Sequence, residues 1–331
     1  MKTSISILTL GVAALCSATA GAADITMGFI YVGPKDDFGY NQAHALGKAE
    51  VGKMAGVKSV EEASVPETIA VQETMKNMIV QDGASALFPT SFGYFDPHIL
   101  KVAKAFPKVQ FLHCGGMYTE GKHPKNVGSY FGYIDEAQYV AGIVAGGTSK
   151  SGKLGFIAAK PIPQVLRNIN AFTLGAKTQN PKVTVQVIVQ TAEKRGVFSS
   201  GYHASQAEIA PKGYLTGAEW DWSNVYGMYA KMIQEGRSLA AGTIPHLVRG
   251  GLKDGFVKVS PYGTPVSDAT KAAADAAKAK FMDGSMVIFK GELKDNTGKV
   301  VIPAGTEQKQ QDPELEKMGY LVEGVIGSTK S

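Results

Sequence analysis

Between Ile25 and Cys114 the chain passes four times through one pattern, a short apolar run and then a stretch with apolar residues three and four apart, and this repetition leaves few folds open. "ITMGFIYV" leads through the loop "GPKDDFGYNQ" into a helical stretch ending near Ala55, and "SVEEASV" leads into "TIAVQETMKNMIVQDG", which stops at Gly83. "ASALFPT" then precedes "DPHILKVAKAFP", a helix with Asp96 as its N-cap and Pro97 at its first position. "VQFLHCGG" closes the set. Buried strands alternating with amphipathic helices predict a parallel, doubly wound α/β sheet. Such sheets bind ligands beyond the carboxyl ends of their strands, so the loops that follow strands are where function is to be sought.

A second set follows "VGSYFGY" (Val127–Tyr133): helix "DEAQYVAGIVAGG", strand "KLGFIAAK", helix "PQVLRNINAFTLGAK" and strand "VTVQVIVQ". A chain of 331 residues is comfortable for two domains. The absence of a long linker predicts two lobes joined by several strands. The expected division is 23–133 for the first lobe, with a return segment near 219–247, and 134–218 with 248–331 for the second.

The second set breaks its own rhythm. Val183–Gln190 and Val197–His203 both read as buried strands, yet only Thr191–Gly196 lies between them. Parallel neighbours need a crossover of a dozen residues or more. An eight-residue strand is about 26 Å long, and six linking residues reach at most about 21 Å, so they cannot return the chain to the starting edge. "AEKRG" reads as the last turn of a helix, with basic residues and a terminal glycine. Two outcomes are open: an antiparallel hairpin with Thr191–Gly196 as its loop, or a sheet left with a gap beside an exposed edge. A rearranged second lobe is expected.

Residues 1–22 read as a secretory signal, with Lys2, the apolar run Ile5–Leu15 and the small-residue site Ala20-Gly21-Ala22. The run is short of the roughly 20 residues that span a bilayer. Export to the periplasm is expected, with the mature chain beginning near Ala23. A lipid anchor at Cys16 is the weaker alternative, because Leu15 stands where a lipoprotein site carries a small residue. Cleavage leaves Cys114 as the one cysteine, so no internal disulfide can form. Losing Lys2 takes the formal charge from +5 to +4, spread without a basic block, which argues against nucleic acid as a partner.

"GGTSKSGKL" (Gly146–Leu154) approaches a phosphate-binding loop, but Leu154 replaces the hydroxyl that would hold magnesium, and the stretch follows a helix and precedes a strand. No G-x-G-x-x-G follows the first strand, no G-x-S-x-G occurs, and the six histidines show no metal-binding spacing. No cofactor, metal or catalytic constellation is expected. What remains is a set of aromatic and polar residues at strand ends: Asp37, Tyr40 and Asn41 after the first, Ser91, Phe92 and Tyr94 after the third, Trp220, Asp221 and Trp222 in "EWDW", and Lys253 with Asp254 in "GGLKDG". Flat aromatic faces with a few hydrogen-bonding groups suit a planar heteroaromatic ligand, since stacking supplies affinity and polar groups read the ring edge.

"DDFGYNQ", "TSFGYFDP", "YFGYIDEAQYVAGIVAG", "PIPQVLRNINAFTLGAK", "GYHASQAEIAPKGYLTGAEWDW" and "GGLKDG" together resemble the basic membrane protein (BMP) family, the purine-nucleoside-receptor-like substrate-binding proteins of ABC importers. The resemblance covers essentially the whole chain after residue 22. It implies a type I periplasmic-binding-protein fold, two doubly wound lobes joined by a hinge and closing on a purine nucleobase or nucleoside. The "SFGY" and "PIP" segments are most similar to members that hold a bare purine such as adenine. By the same resemblance Tyr40 stacks on the base with Asp37 and Asn41 beside it, Asp221 and Lys253 hold the ligand, and Tyr94 and Arg167 stand in the cleft.

Members of the family continue from the strand equivalent to Val183–Gln190 through a helix, another strand and a loop of the form H-x-D-S-P. About one αβ unit, on the order of 40 residues, is therefore missing here. Losing that loop removes one wall of the cleft, and weak or absent purine binding is expected. The implied partner is an ABC permease in the inner membrane, and the protein is expected to be a monomer and not an enzyme. Two alternatives stand beside this: a nucleoside-acting hydrolase with Asp37 or Asp221 as general acid or base, and a ligand sensor or surface adhesin.

Overall fold

The computed structural model describes residues 23–158, 161–188, 198–209 and 211–329. The expected signal segment and the link Thr191–Gly196 lie outside the described residues. In chain order the first lobe runs β1 (Ile25–Ile30), α1 (Tyr40–Val51), β2 (Val57–Glu62), α2 (Ala70–Val80), β3 (Ala86–Pro89), α3 (Leu100–Ala105), β4 (Gln110–Cys114) and β5 (Val127–Gly132). There follow α4 (Ile134–Thr148), β6 (Lys153–Ile157), α5 (Pro163–Gln179), β7 (Thr184–Ile188), β8 (Ser199–His203) and β9 (Tyr214–Trp220). The chain then passes through α6 (Trp222–Gln234), β10 (Leu247–Gly250), β11 (Val257–Val259) and α7 (Asp268–Asp283).

Six strands form one sheet in the order β10-β5-β4-β3-β1-β2, every neighbour parallel. β3 and β4 are buried at every position, as strands covered on both faces must be. Alternate residues serve opposite faces. Phe29 and Phe88 meet Tyr226 of α6, whereas Ile30, Leu87 and Phe111 join Val71 and Met75 of α2 and Val102 of α3 in a second core. The return through α6 and β10 thus completes the first lobe. Gly47 lets α1 lie close on α6, because a Cβ there would meet Trp222.

The helix expected to start at Asp96 starts later. Asp96 keeps extended backbone (φ −121°, ψ 122°), and the regular helix begins at Leu100. The ring of Pro97 disfavours helical dihedrals in the residue before it, so Asp96 ends a turn instead of capping the helix.

In the second lobe α4 is buried from Ile134 to Gly146 except at Tyr139, and it packs on α5, α7, β9 and β11. The α4–α5 contact is backbone on backbone: a Cβ at Gly142 would strike the Phe172 carbonyl, and one at Gly175 the Tyr139 carbonyl. Besides two small two-stranded ribbons within 289–308, the strands form two three-stranded sheets. β6, β7 and the C-terminal strand Val325–Ile326 make one parallel sheet, while β8, β9 and β11 make another in which β11 runs antiparallel. β7 and β8 therefore do not pair as a hairpin. β6 and β8 approach through Phe156 and Tyr202, whose ring centroids are 6.4 Å apart, and each ends its own ladder. Asn168 of α5 adds a bond from Nδ2 to the Tyr202 hydroxyl at 2.6 Å. Among the described residues no helix is long and apolar enough to cross a membrane.

Candidate ligand cleft

Each aromatic wall is set by the end of a strand. After β1 the loop turns at Asp37, whose carboxylate accepts hydrogen bonds from the backbone N–H groups of Gly39 (2.8 Å), Asn41 (3.1 Å) and Gln42 (3.0 Å) and from Asn41 Nδ2 (2.8 Å). Burial opposes ionisation there, but these bonds outweigh it and hold the Asp37 carboxyl below its ordinary range. They satisfy donors that the start of α1 would leave unpaired. The turn fixes Tyr40, the first residue of α1, whose hydroxyl donates to the Thr90 carbonyl after β3 at 2.6 Å. Tyr40 stands edge-on to His44 (4.6 Å, 79°) and to His203 at the end of β8 (5.5 Å, 80°).

β9 supplies the opposite wall. Trp220 ends the strand, Asp221 precedes α6, and Trp222 opens that helix. The two indoles stack at 4.6 Å and 17°, and Trp222 continues onto His44 at 5.0 Å and 4°. Trp220 Nε1 donates to His203 Nδ1 at 2.8 Å, and the His203 ring lies on Tyr202 at 3.6 Å. Gln206 Nε2 donates to the Phe38 carbonyl at 2.9 Å and ties the loop after β8 to the loop after β1. The two lobes thus meet in a continuous aromatic array.

Burial drives the His44 imidazole well below its ordinary pKa, and the neighbouring His203 and His113 add to the effect. His203 is brought down to about 4 by burial, against the pull of Asp37. Both rings are neutral at pH 7. Asn41 Oδ1, His44 Nε2 and Trp222 Nε1 are buried and make no hydrogen bond among the described residues. Buried polar groups as a rule have partners, which sets these three atoms apart.

Tyr40, Trp220 and Trp222 belong to the array, Asp37 and Asn41 to the turn that opens α1, and Asp221 lies between the two indole residues. Asp221 accepts from the Ser223 hydroxyl and lies 4.0 Å from Lys258 Nζ. The Ser91 hydroxyl donates to Glu67 at 2.5 Å and its carbonyl faces His113 Nε2 at 2.7 Å, so Thr90 is the residue that reaches Tyr40. Tyr94 is fully buried and donates to the Val65 carbonyl, inside the core of α2 and α3. Lys253 is exposed and its charge acts on Asp283 at the end of α7.

Arg167 belongs to a buried network of the second lobe that reaches Tyr133 at its edge. Its Nε lies 3.0 Å from Asp135 Oδ2, its Nη2 donates to Gln310 Oε1 at 2.7 Å, and its guanidinium covers the Tyr133 ring at 5.1 Å. Gln310 Nε2 donates in turn to Glu136 Oε1 at 3.1 Å, and Glu136 Oε2 accepts from Leu252 N at 2.7 Å. The adjoining crevice, lined by Phe131, Tyr133, Arg167 and Asn168, has about 10 Å³ of open space, room for about one water. Sequence reasoning did not single out His44, Thr90, Tyr202 or His203 for the cleft. His44 carried a signal, one helical turn after Tyr40; His203 carried one as the end of a strand.

Residues 25–191 match the profile of the Bmp family, described as ABC transporter substrate-binding protein PnrA-like. A purine-binding protein of Brucella abortus is 30% identical over 338 positions, covering 91% of this chain and 93% of that protein. A putative ABC transporter glucose-binding protein of Haloferax volcanii is 26% identical, covering 93% of this chain and 82% of that protein. Among solved structures, an ABC transporter solute-binding protein of Aeropyrum pernix K1 superposes with a TM-score of 0.62 at 19% identity, covering 82% of this chain and 93% of that one. The Brucella alignment runs over 338 positions yet uses 91% of the 331 residues here, so roughly 37 of its positions have no counterpart in this chain. The profile match itself ends at Thr191, inside the short link between β7 and β8.

Proposed function

Since the chain belongs to the Bmp family of PnrA-like ABC transporter substrate-binding proteins, we propose that it captures a purine nucleobase or nucleoside between its lobes and presents it, closed, to an inner-membrane permease. The observation that carries this reading is the aromatic array itself. Tyr40, Trp220, Trp222, His44 and His203 stack on and stand edge-on to one another, and Asn41, His44 and Trp222 each keep a buried polar atom without a partner among the described residues, an aromatic setting that suits a flat polar ring. Stacking with a few edge contacts is how a planar heteroaromatic ring is held. Asp37 holds the turn that carries Tyr40, and Asp221 stands between the two indole residues at the start of α6.

The name of the Haloferax relative raises a sugar as the second reading. A saturated ring presents hydroxyls all round and needs free carboxylates or amides to meet them. Here Asp37 is spent on the start of α1 and Asp221 is engaged by Ser223 and Lys258. The same engagement disfavours a hydrolase, which needs one of these carboxyls poised on substrate.

Ligand-driven closure is a population shift, and it requires tighter binding to the closed form than to the open one. Residues 1–22 act as the export signal and the site of action is the periplasm. With one wall lost after β7, purine binding is weak. Calorimetry against adenine, guanine, adenosine, inosine and glucose tests the reading: purines should bind at about micromolar Kd or weaker and glucose should give no heat. Binding of glucose alone would overturn the purine assignment, and nanomolar purine binding would overturn the lost wall. Free base released from adenosine or inosine would point to the hydrolase.

A further inference from the structure

His203 lies within the aromatic array instead of beside it. Its backbone φ of 77° is a left-handed value that few non-glycine residues adopt. One face of the half-buried ring rests on Tyr202 at 3.6 Å, Tyr40 meets it edge-on at 5.5 Å, and Nδ1 accepts from Trp220 Nε1 at 2.8 Å. The Trp220 ring is only 24° from the His203 plane at 6.2 Å, so that hydrogen bond runs edge to edge. Nδ1 is an acceptor, so the proton of the neutral ring sits on Nε2. A flat five-membered ring with an acceptor nitrogen on one side and an N–H on the other has the chemistry of the imidazole half of adenine, N7 matching Nδ1 and N9–H matching Nε2–H.

We propose that the His203 side chain occupies the seat of the ligand's five-membered ring, and that a purine enters by displacing it, its N7 taking the hydrogen bond from Trp220 Nε1. The proposal rests on the purine reading above and narrows it to flat heteroaromatic rings with a free acceptor nitrogen at that position. His203 then sets a threshold. An incoming ring must do more than repeat the contacts of imidazole, and the six-membered half of a purine supplies the difference.

The His203→Gly variant removes the ring at a position where glycine accepts the backbone without strain. In buffer above pH ~8, where free imidazole is neutral, added imidazole should raise the melting temperature of H203G and leave the unsubstituted protein unchanged. Adenine should bind H203G about tenfold or more tightly than the unsubstituted protein by calorimetry. 7-Deazaadenine, with carbon in place of N7, should bind H203G about tenfold more weakly than adenine, because it leaves the Trp220 N–H unpaired. Equal adenine affinities for the two proteins, or no effect of imidazole on H203G, would overturn the proposal while leaving the purine reading intact. Imidazole rescue without adenine binding to either protein would instead overturn the purine reading and leave the seat established. Should H203G fail to fold by circular dichroism, the adenine comparison passes to His203→Asn, whose shorter side chain tolerates positive φ.

Discussion

The Trp222 indole lies parallel to the His44 imidazole, with ring centroids 5.0 Å apart and planes within 4°. This pair joins α1 to α6, the helix that returns from the second lobe, so one contact serves both the core of the first lobe and the aromatic array. Trp222→Ala should cost about 3–5 kcal/mol of stability, the usual cost of removing a large buried aromatic, with adenine binding lost. Trp222→Phe should keep most of the stability. Urea titration followed by circular dichroism measures both, and a loss below about 1 kcal/mol for the alanine variant would contradict the packing described.

The Asp135–Arg167 pair, with side chains 2% and 7% exposed, leaves little room for water to replace a missing partner. Arg167→Met should destabilise by about 3–5 kcal/mol because it strands a buried carboxylate. The double variant Asp135→Asn with Arg167→Met should recover part of that loss, and a thermodynamic cycle on the urea midpoints reads the coupling directly. Additive losses would mean that the two charges do not interact.

Burial, reinforced by the adjacent Asp135, raises the Glu136 carboxyl from 4.5 to about 7, against the bonds from Leu252 N–H and Gln310 and the charge of Arg167. The folded chain therefore keeps a proton that the unfolded chain has already released. Stability from this group is complete below pH 4.5 and lost as pH rises to about 7. Glu136→Gln should flatten that decline, measured as urea midpoints across the same range. An unchanged slope would assign the decline to another group.

The Gln206–Phe38 bond bridges the loops after β8 and β1 at an exposed position. Gln206→Ala should shift the closed form toward the open one by about 2- to 10-fold, the range of one modest hydrogen bond, visible as a larger radius of gyration in small-angle scattering without ligand. No change would place closure in the aromatic contacts alone.

The βα rhythm of the first lobe was legible because strand and helix periods differ and each element is long enough to show its own. The start of α3 was not, since Asp96 offered both a capping side chain and a proline neighbour, and the steric effect of the proline prevailed. The short link after β7 could be measured against strand length, but whether β8 would turn back on β7 or join β9 depends on tertiary partners that no local pattern encodes. Tyr40, Trp220 and Trp222 stand at strand ends that the sequence marks, and the structure brings their rings into one array. Tyr94 stands in an equally suggestive loop and points into the core, a difference of rotamer and backbone turn. His203 draws its role from a left-handed backbone and a bond to Trp220, neither visible in composition or spacing.

A sheet cut into two three-stranded pieces has four rims instead of two, and those of β6 and β8 approach each other across the second lobe. Among the described residues, side chains bridge that seam: Phe156 against Tyr202, and Asn168 bonded to Tyr202. Cohesion falls to the helices laid over both pieces, α4 against β9 and β11, α5 against β7, and the two locked together at Gly142 and Gly175. Among the described residues the second lobe thus carries an internal seam spanned by side chains and by the helices that cover it. His203 stands at the tip of β8 with Tyr202 beside it, so the strand that borders the seam also carries a ring of the aromatic array.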